Sequence, residues 1–479
     1  MQRLALLIVS SLILGGLAVA QEAPFVAPPL PQNLDQVGKN IQRTMTLLAT
    51  STPEKRNKVR ILFYGQSVTA GPWTYALAED IKKAYPNADL LIENRAIGGY
   101  EAPSLIQTAD YDLYPFYPDL LIFHVWGGVK TGEQEEIIRR VRQRTTAEIM
   151  IWTTHFRWPK DAARDASWDD PAVQAITASD EERVALYRAI APKYGIEIAE
   201  VREALRQYLK DNNLYPKDTL ADSVHPNKLG NFLLQSLVRP YLRYDPKFSQ
   251  DPWKDLVKEI PATDPRVERK ANGSLKLTFE GNRIDLIAAH AEGARGTARV
   301  LIDGKAPSQF PELYYHCRPT AAPHVWWPAV NKIGFEKAPL LEKWTLKITE
   351  CDPEKNLLKY TVSGSVTGPD GEGDQSQRFV SNSGRVVIEP GKFGVCGALK
   401  YKKLPLPDDY LVTWETRPLF VDTYQAPETP DKSREYPTTL AQGLSNGTHT
   451  VEIIPNGDGP VPVAAFRAYR PPLAVDAPK

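Results

Sequence analysis

Cysteine is scarce. The 479-residue chain has three, Cys317, Cys351 and Cys396, all in its C-terminal half and none with a CxxC partner. No cysteine-based metal module and no thiol chemistry follow from such a set. An odd count leaves one disulfide with one free thiol, or none, and structural burial is the expectation for all three. Net charge is also missing, because 58 Lys+Arg balance 58 Asp+Glu. Nothing therefore draws the chain to nucleic acid or to an anionic membrane surface. Beyond residue 20 no apolar run approaches the roughly 20 residues that span a bilayer. There is no internal repeat of fixed period and no set of residues with metal-ligand spacing. The glycine-rich stretch GPDGEG at residues 368–373 reads as a surface turn, since neither helix nor lysine follows it. No metal and no other cofactor is implied.

What is present is order along the chain. Met1 to Ala20 has the anatomy of a secretory leader, with Arg3, an apolar stretch over residues 4–17 and the small-residue site Ala18-Val19-Ala20. The apolar stretch is short for a spanning anchor. The expectation is an exported protein, secreted or periplasmic, with no integral membrane segment after cleavage. Residues 21–57 open with the proline-rich spacer PFVAPPLP. They continue into an amphipathic helix over residues 33–49, where Leu34, Val37, Ile41, Met45 and Leu48 recur at three- and four-residue spacing.

Residues 58–245 alternate strand and helix patterns. Strands are expected at 61–64, 89–93, 120–125, 149–153 and 196–201. Helices are expected at 73–85, 133–144, from the capping-box pattern at Ser179 to residue 194, and 227–241. Crossover connections of this kind give a parallel sheet covered on both faces, with its site at the carboxyl ends of the strands. Residues 246–265 read as a linker. Residues 266–472 change character, with short β-rich runs separated by turns such as Glu280-Gly281-Asn282, Gly368-Pro369-Asp370-Gly371 and Asn446-Gly447. That pattern is an all-β jelly-roll or sandwich region, either one domain with an insertion or two. Residues 473–479 are expected as a tail, looseness beginning at Pro471.

Chemistry concentrates at two places. Ser67 follows the run VRILFYG at a strand-to-helix corner, where a strand end and a helix start favour a nucleophile that generates an oxyanion. Serine needs a base within hydrogen-bond reach, usually a histidine oriented by a carboxylate. Of seven histidines, only His225 has an aspartate three residues before it, Asp222. In a loop that spacing lets the carboxylate fold back on Nδ1 and leaves Nε2 for the serine. A lone D-x-x-H is common and could equally decorate a turn. It gains weight here by closing an α/β domain that a strand–Gly-x-Ser–helix opens.

With these residues in view, residues 58–244 resemble the SGNH (GDSL-type) hydrolases. The resemblance implies a flavodoxin-like three-layer α/β/α fold and ester hydrolysis. Gly65-Gln66-Ser67 matches the first block, which makes Ser67 the nucleophile and, through its backbone N–H, an oxyanion donor. The run Asn94-Arg95-Ala96-Ile97-Gly98-Gly99 resembles the second block and makes Gly99 the other donor. Asp222 and His225 match the last block. Two departures stand out. Gln66 replaces the usual Asp, as in the sialate and xylan acetylesterase branches. The third block, which usually carries an oxyanion asparagine after the middle strand, reads Phe123-His124-Val125-Trp126-Gly127-Gly128-Val129 and has none.

His124, Trp126 and His155 are the remaining pocket candidates, each equally readable as core. Trp73, Trp152, Trp158 and Trp168 divide between sugar-stacking walls and core packing, and so do Tyr314, Tyr315, Trp326 and Trp327 in the β region. The expectation is an exported serine esterase removing O-acetyl or similar short acyl groups from a carbohydrate or another small ester. The competing expectation is a glycan-binding protein whose hydrolase-like domain lost activity with the third-block asparagine.

Overall fold

The computed structural model describes residues 25–474. The expected leader and residues 475–479 lie outside them. The N-terminal part is built from α1 (Gln42–Ala49), β1 (Lys58–Gly65), α2 (Pro72–Ala84), β2 (Asp89–Asn94), α3 (Ala102–Asp112), β3 (Leu120–His124), α4 (Glu133–Arg144), β4 (Glu148–Trp152), α5 (Pro171–Tyr194), β5 (Glu197–Ala199), α6 (Val201–Asp211) and α7 (Lys228–Val238). The five strands are parallel in the order β2-β1-β3-β4-β5. This is the flavodoxin-like order, and its switch point falls between β1 and β3.

Strand periodicity explains the three layers. Ile61 and Phe63 of β1, Ile122 of β3 and Met150 of β4 join one core with α1, α2, α6 and α7. Leu62, Tyr64, Leu121, Phe123 and Ile151 face the other way, into a core with α3, α4 and α5. Both faces are apolar because both are covered.

Two helices were not expected. The strand expected through residue 201 stops at Ala199, because Val201, Leu205, Tyr208 and Leu209 bury one face of α6. Helix α3 carries Pro103 in its first turn, where the missing N–H costs nothing. The Ser179 capping box is not formed. Helix α5 begins at Pro171, and Asp170 caps it by accepting from the Ala172 and Val173 amides. The amphipathic segment before β1 is helical only over Lys39–Ile41 and Gln42–Ala49. Its first amides are held by buried carboxylates: Glu197 accepts from Gly38 and Asn40, and Glu148 from Arg43 and Thr44.

Among the described residues the β region holds, besides a small sheet that pairs Phe379–Val380 with Val387–Ile388, two large antiparallel sheets. One includes Val257–Pro261, Leu275–Ala288, Thr297–Ile302, Thr423–Gln425, Pro437–Pro455 and Val463–Tyr469, over a core that contains Phe279, Val300 and Phe466. The other comprises Tyr314–His316, Lys343–Asp352, Leu357–Gly364, Gly368–Asp374 and Leu411–Pro418. It lies between the third and fourth of those strands in sequence and has its own core around Trp344, Tyr360 and Trp414. Glu280-Gly281-Asn282 is not a turn, since Leu275–Ala288 runs straight through it. Pro437–Pro455 likewise absorbs Asn446-Gly447. Gly368–Asp374 is an edge strand, where Pro369 is tolerated. Helix Val395–Lys402 interrupts the β pattern. All three cysteines are free, and burial with the neighbouring Cys396 thiol pushes Cys351 up to about 11.

The two parts interlock. Arg318 donates twice to the buried Asp112, at 2.9 and 2.6 Å. Tyr100 donates to Asn331 at 2.6 Å, and Tyr117 to Asn282 at 2.9 Å. The stretch expected to loosen at Pro471 is pinned, with the Leu473 amide on the Arg142 carbonyl at 3.1 Å and the Asn446 amide group on the Pro471 carbonyl at 2.9 Å.

Candidate active site

Ser67 leaves β1 at the switch point. Gly65 takes φ +153°, and a Cβ there would stand 2.4 Å from the His124 carbonyl. Only glycine lets β1 lie this close to β3 as the chain turns into α2. Gln66 points inward and accepts the Trp126 amide proton at 3.0 Å, which ties the serine turn to the loop after β3.

The D-x-x-H loop precedes α7 and brings its two side chains over the serine. His225 Nε2 lies 2.9 Å from Ser67 Oγ. His225 Nδ1 lies 2.7 Å from Asp222 Oδ2. The other carboxylate oxygen accepts the backbone amides of Val224 and His225, both at 2.7 Å. Burial works against ionisation of Asp222, but the His225 amide and imidazole and the Val224 amide outweigh it and hold the carboxyl at about 2. The carboxylate is thus charged and fixed, and it selects the tautomer with the proton on Nδ1. Ser67 is half-buried, whereas the His225 and Asp222 side chains keep 47% and 55% of their surface exposed. The group stands in the open. A cavity of about 760 Å³ lies elsewhere, between the domains, and Tyr114, Asn282 and Tyr315 are among its walls.

The loop after β2 is bound to β1. The Arg95 amide donates to the Phe63 carbonyl and the Ile97 amide to the Gly65 carbonyl, both at 2.9 Å. Asn94 reaches the Thr69 carbonyl at 2.8 Å. Gly99 takes φ +84°, which favours glycine. Among the described residues, neither the Ser67 nor the Gly99 amide has an acceptor within the chain.

The remaining candidates separate cleanly. His124 is fully buried and stacks on Trp152 at 3.9 Å, and burial holds it well below the ordinary histidine value. It forms part of the floor and is closed to a ligand. Trp126 is buried and donates its indole N–H to Thr154 Oγ1 at 2.6 Å. That donor is spent, so Trp126 does not replace the third-block asparagine. His155 is buried with its Nε2 2.7 Å from the Val224 carbonyl. A carbonyl only accepts, so Nε2 carries the proton, and burial lowers the ring to about 4. His155 supports the Asp222–His225 loop and does not line a pocket. Trp73, Trp152 and Trp158 are core, and Trp168 is exposed.

Sequence reading missed two contacts. The Gln66 tether crosses between strands. Trp326 and Trp327, from the β region, both donate their indole N–H groups to the Gly98 carbonyl, at 2.9 and 2.8 Å. Neither partnership has a local spacing to reveal it.

The fold and the site together define a flavodoxin-like α/β domain with a serine, a histidine and an aspartate in one hydrogen-bonded line, followed by an all-β region. No family model and no curated protein matches the sequence. Solved structures do match. A two-domain esterase active on acetylated mannans is 13% identical, with a TM-score of 0.34, and the match covers 90% of this chain and 95% of that one. The acetylxylan esterase Axe2 from Geobacillus stearothermophilus is 15% identical, with a TM-score of 0.31, over 42% of this chain and 98% of that one. A GDSL-like protein of Parabacteroides merdae is 16% identical, with a TM-score of 0.31, over 40% and 98%. The chain is similar to these proteins in fold, and the chemistry of the site is carried by its own side chains.

Proposed function

We propose that this chain is an exported serine ester hydrolase of the SGNH type that removes O-acetyl or similarly short acyl groups from carbohydrate. One observation carries the proposal: the continuous line from Ser67 Oγ through both nitrogens of His225 to Asp222, at 2.9 and 2.7 Å. Ser67 attacks the ester carbonyl and its proton passes to His225 Nε2. The imidazolium is stabilised by Asp222 and protonates the departing alcohol, leaving an acyl-serine. Water, deprotonated by the same imidazole, then releases the acid and restores the serine. The amides of Ser67 and Gly99 are the oxyanion donors, each without a competing partner among the described residues. No step calls for a metal or an organic cofactor.

Substrate size follows from exposure. An open histidine and aspartate leave room for a bulky alcohol. A long acyl chain, by contrast, gains most from a deep apolar pocket at the nucleophile. The leader supports the exported location, and N-terminal sequencing of the secreted protein, expected to start at Gln21, checks it.

Ser67→Ala should abolish release of acetate from acetylated oligosaccharides and from a small acetyl ester. Full activity in that variant would refute the assignment. The competing reading, a glycan binder, draws on the missing side-chain donor after β3. Failure of a fluorophosphonate to label Ser67, with glycan binding retained, would favour it.

A further inference from the structure

The β region reaches into the proposed reaction centre through a single carbonyl. Trp326 and Trp327 lie on a loop of the inserted sheet's domain that is closed by the Ala322 amide on the Trp327 carbonyl at 2.6 Å and the Ala329 amide on the Thr320 carbonyl at 3.0 Å. Trp327 is wedged between Tyr100, 6.2 Å away, and Tyr401, 5.3 Å away between ring centres. Both indole N–H groups converge on the Gly98 oxygen, filling its two lone pairs. The same rings cover the glycines themselves. A Cβ on Gly98 would stand 3.1 Å from the Trp326 indole nitrogen, and one on Gly99 would stand 3.2 Å from that of Trp327.

The direction of that carbonyl matters. Among the described residues every peptide bond is trans, and in a trans peptide the C=O and the N–H point to opposite sides. The Gly98 carbonyl and the Gly99 N–H belong to one peptide unit. With the carbonyl fixed on the indoles, the Gly99 N–H faces away from them. Two hydrogen bonds received at the oxygen also draw electron density from the nitrogen, which strengthens its N–H as a donor. Left alone, a Gly-Gly peptide would rotate freely.

We infer that Trp326 and Trp327 are positioning residues for ester hydrolysis: they clamp and polarise the Gly98–Gly99 peptide so that its N–H is held ready for the oxyanion. The inference rests on the esterase reading above and adds that the reaction centre is completed by the β region. Catalytic electrostatics depend on donors that are oriented before charge develops. A rigid indole pair supplies that orientation from outside the α/β domain. Trp326 also keeps 55% of its surface exposed, so a competing role, stacking on the sugar, has to be separated by experiment.

The test uses the full-length chain carrying Trp326→Phe, Trp327→Phe or both. Phenylalanine keeps an aromatic ring and removes the N–H. Kinetics are measured on a small acetyl ester and on an acetylated oligosaccharide, together with the rate of Ser67 labelling by a fluorophosphonate, whose phosphoryl oxygen occupies the oxyanion position. The double variant should lose kcat by about tenfold to 10²-fold, short of the 10²–10³ lost with a whole oxyanion donor. KM should stay nearly constant. The loss should be equal on both substrates and match the slowing of labelling. Unchanged kcat, or a rise in KM on the oligosaccharide alone, would overturn the inference and leave the esterase reading standing. Activity that survives Ser67→Ala would remove that reading, and this one with it. Should the double variant fail to fold, Trp326→Phe alone decides, because that ring is largely exposed.

Discussion

His155 donates its Nε2 proton to the carbonyl of Val224, 2.7 Å away, inside the loop that carries Asp222 and His225. The Trp158 amide grips the same loop through the Ser223 carbonyl at 2.9 Å. The loop after β4 therefore sets the height of the imidazole above Ser67. His155→Phe should lower kcat by about tenfold with little change in KM, the worth of roughly one hydrogen bond. Glutamine at the same position, which keeps a donor, should recover part of the loss. Steady-state kinetics on a small acetyl ester check both.

His124, His155 and His316 are all buried, and burial lowers all three, the last two to about 4. At His155 and His316 the unfolded chain binds protons at about 6.5 and the folded chain only near 4, so between those values the unfolded state holds more protons, and His124 acts in the same direction. Stability contributed by these neutral rings is full above about 6.5 and is lost as pH falls toward 4. The urea midpoint should drop across that window, and His155→Phe should flatten the drop.

Asp222 behaves differently. Its carboxyl titrates at about 2, so it stays ionised throughout the working range. The acid side of a kcat/KM profile should then show no ionisation of this carboxyl above about pH 3. Asp222→Asn should keep the geometry but present the wrong tautomer, costing about 10³–10⁴ in kcat. A pH–rate series on both proteins checks this.

Gln66 accepts the Trp126 amide in a buried setting. Gln66→Ala leaves that N–H unsatisfied, which costs about 1–3 kcal/mol, and frees the serine turn from β3. Gln66→Glu keeps the acceptor and should retain most of the activity. Thermal melts alongside kinetics separate the two effects.

Arg318 pairs with Asp112 across the domain boundary. Burial raises Asp112, and Arg318 is the largest influence pulling it back. The arginine keeps 36% exposure against 4% for the aspartate. Arg318→Ala strands a buried carboxylate, and after discounting for screening on the arginine side the expected cost is about 1–3 kcal/mol. The loss should appear as a lower melting temperature that recovers in part as the pH is reduced and Asp112 takes a proton.

The triad was legible because each piece is announced locally. A strand, a Gly-x-Ser corner and a helix place Ser67, and a D-x-x-H before α7 places Asp222 and His225. The parallel sheet was within reach for the same reason, since helices alternate with strands whose centres are apolar, while its flavodoxin-like order entered only through the family resemblance. What escaped is set by partners distant in the chain. His155 and Trp126 look like pocket residues until their partners, Val224 and Thr154, are known. Glu280-Gly281-Asn282 reads as a turn until Pro437–Pro455 pairs along it, with Thr448 opposite Glu280 and Gly447 opposite Gly281. The indoles at Gly98 come from an insertion whose docking no local pattern encodes.

The pairing of Asp112 with Arg318 sets a limit on dissection. A fragment ending after α7 would keep every member of the triad yet uncover a lone anion and the face that Tyr100 and Tyr117 present to the β region. Such a truncation would be a damaged whole, not a minimal enzyme. Exchanging the β region for an unrelated one would meet the same difficulty, so the two halves are expected to be inherited together and to tolerate change only in concert.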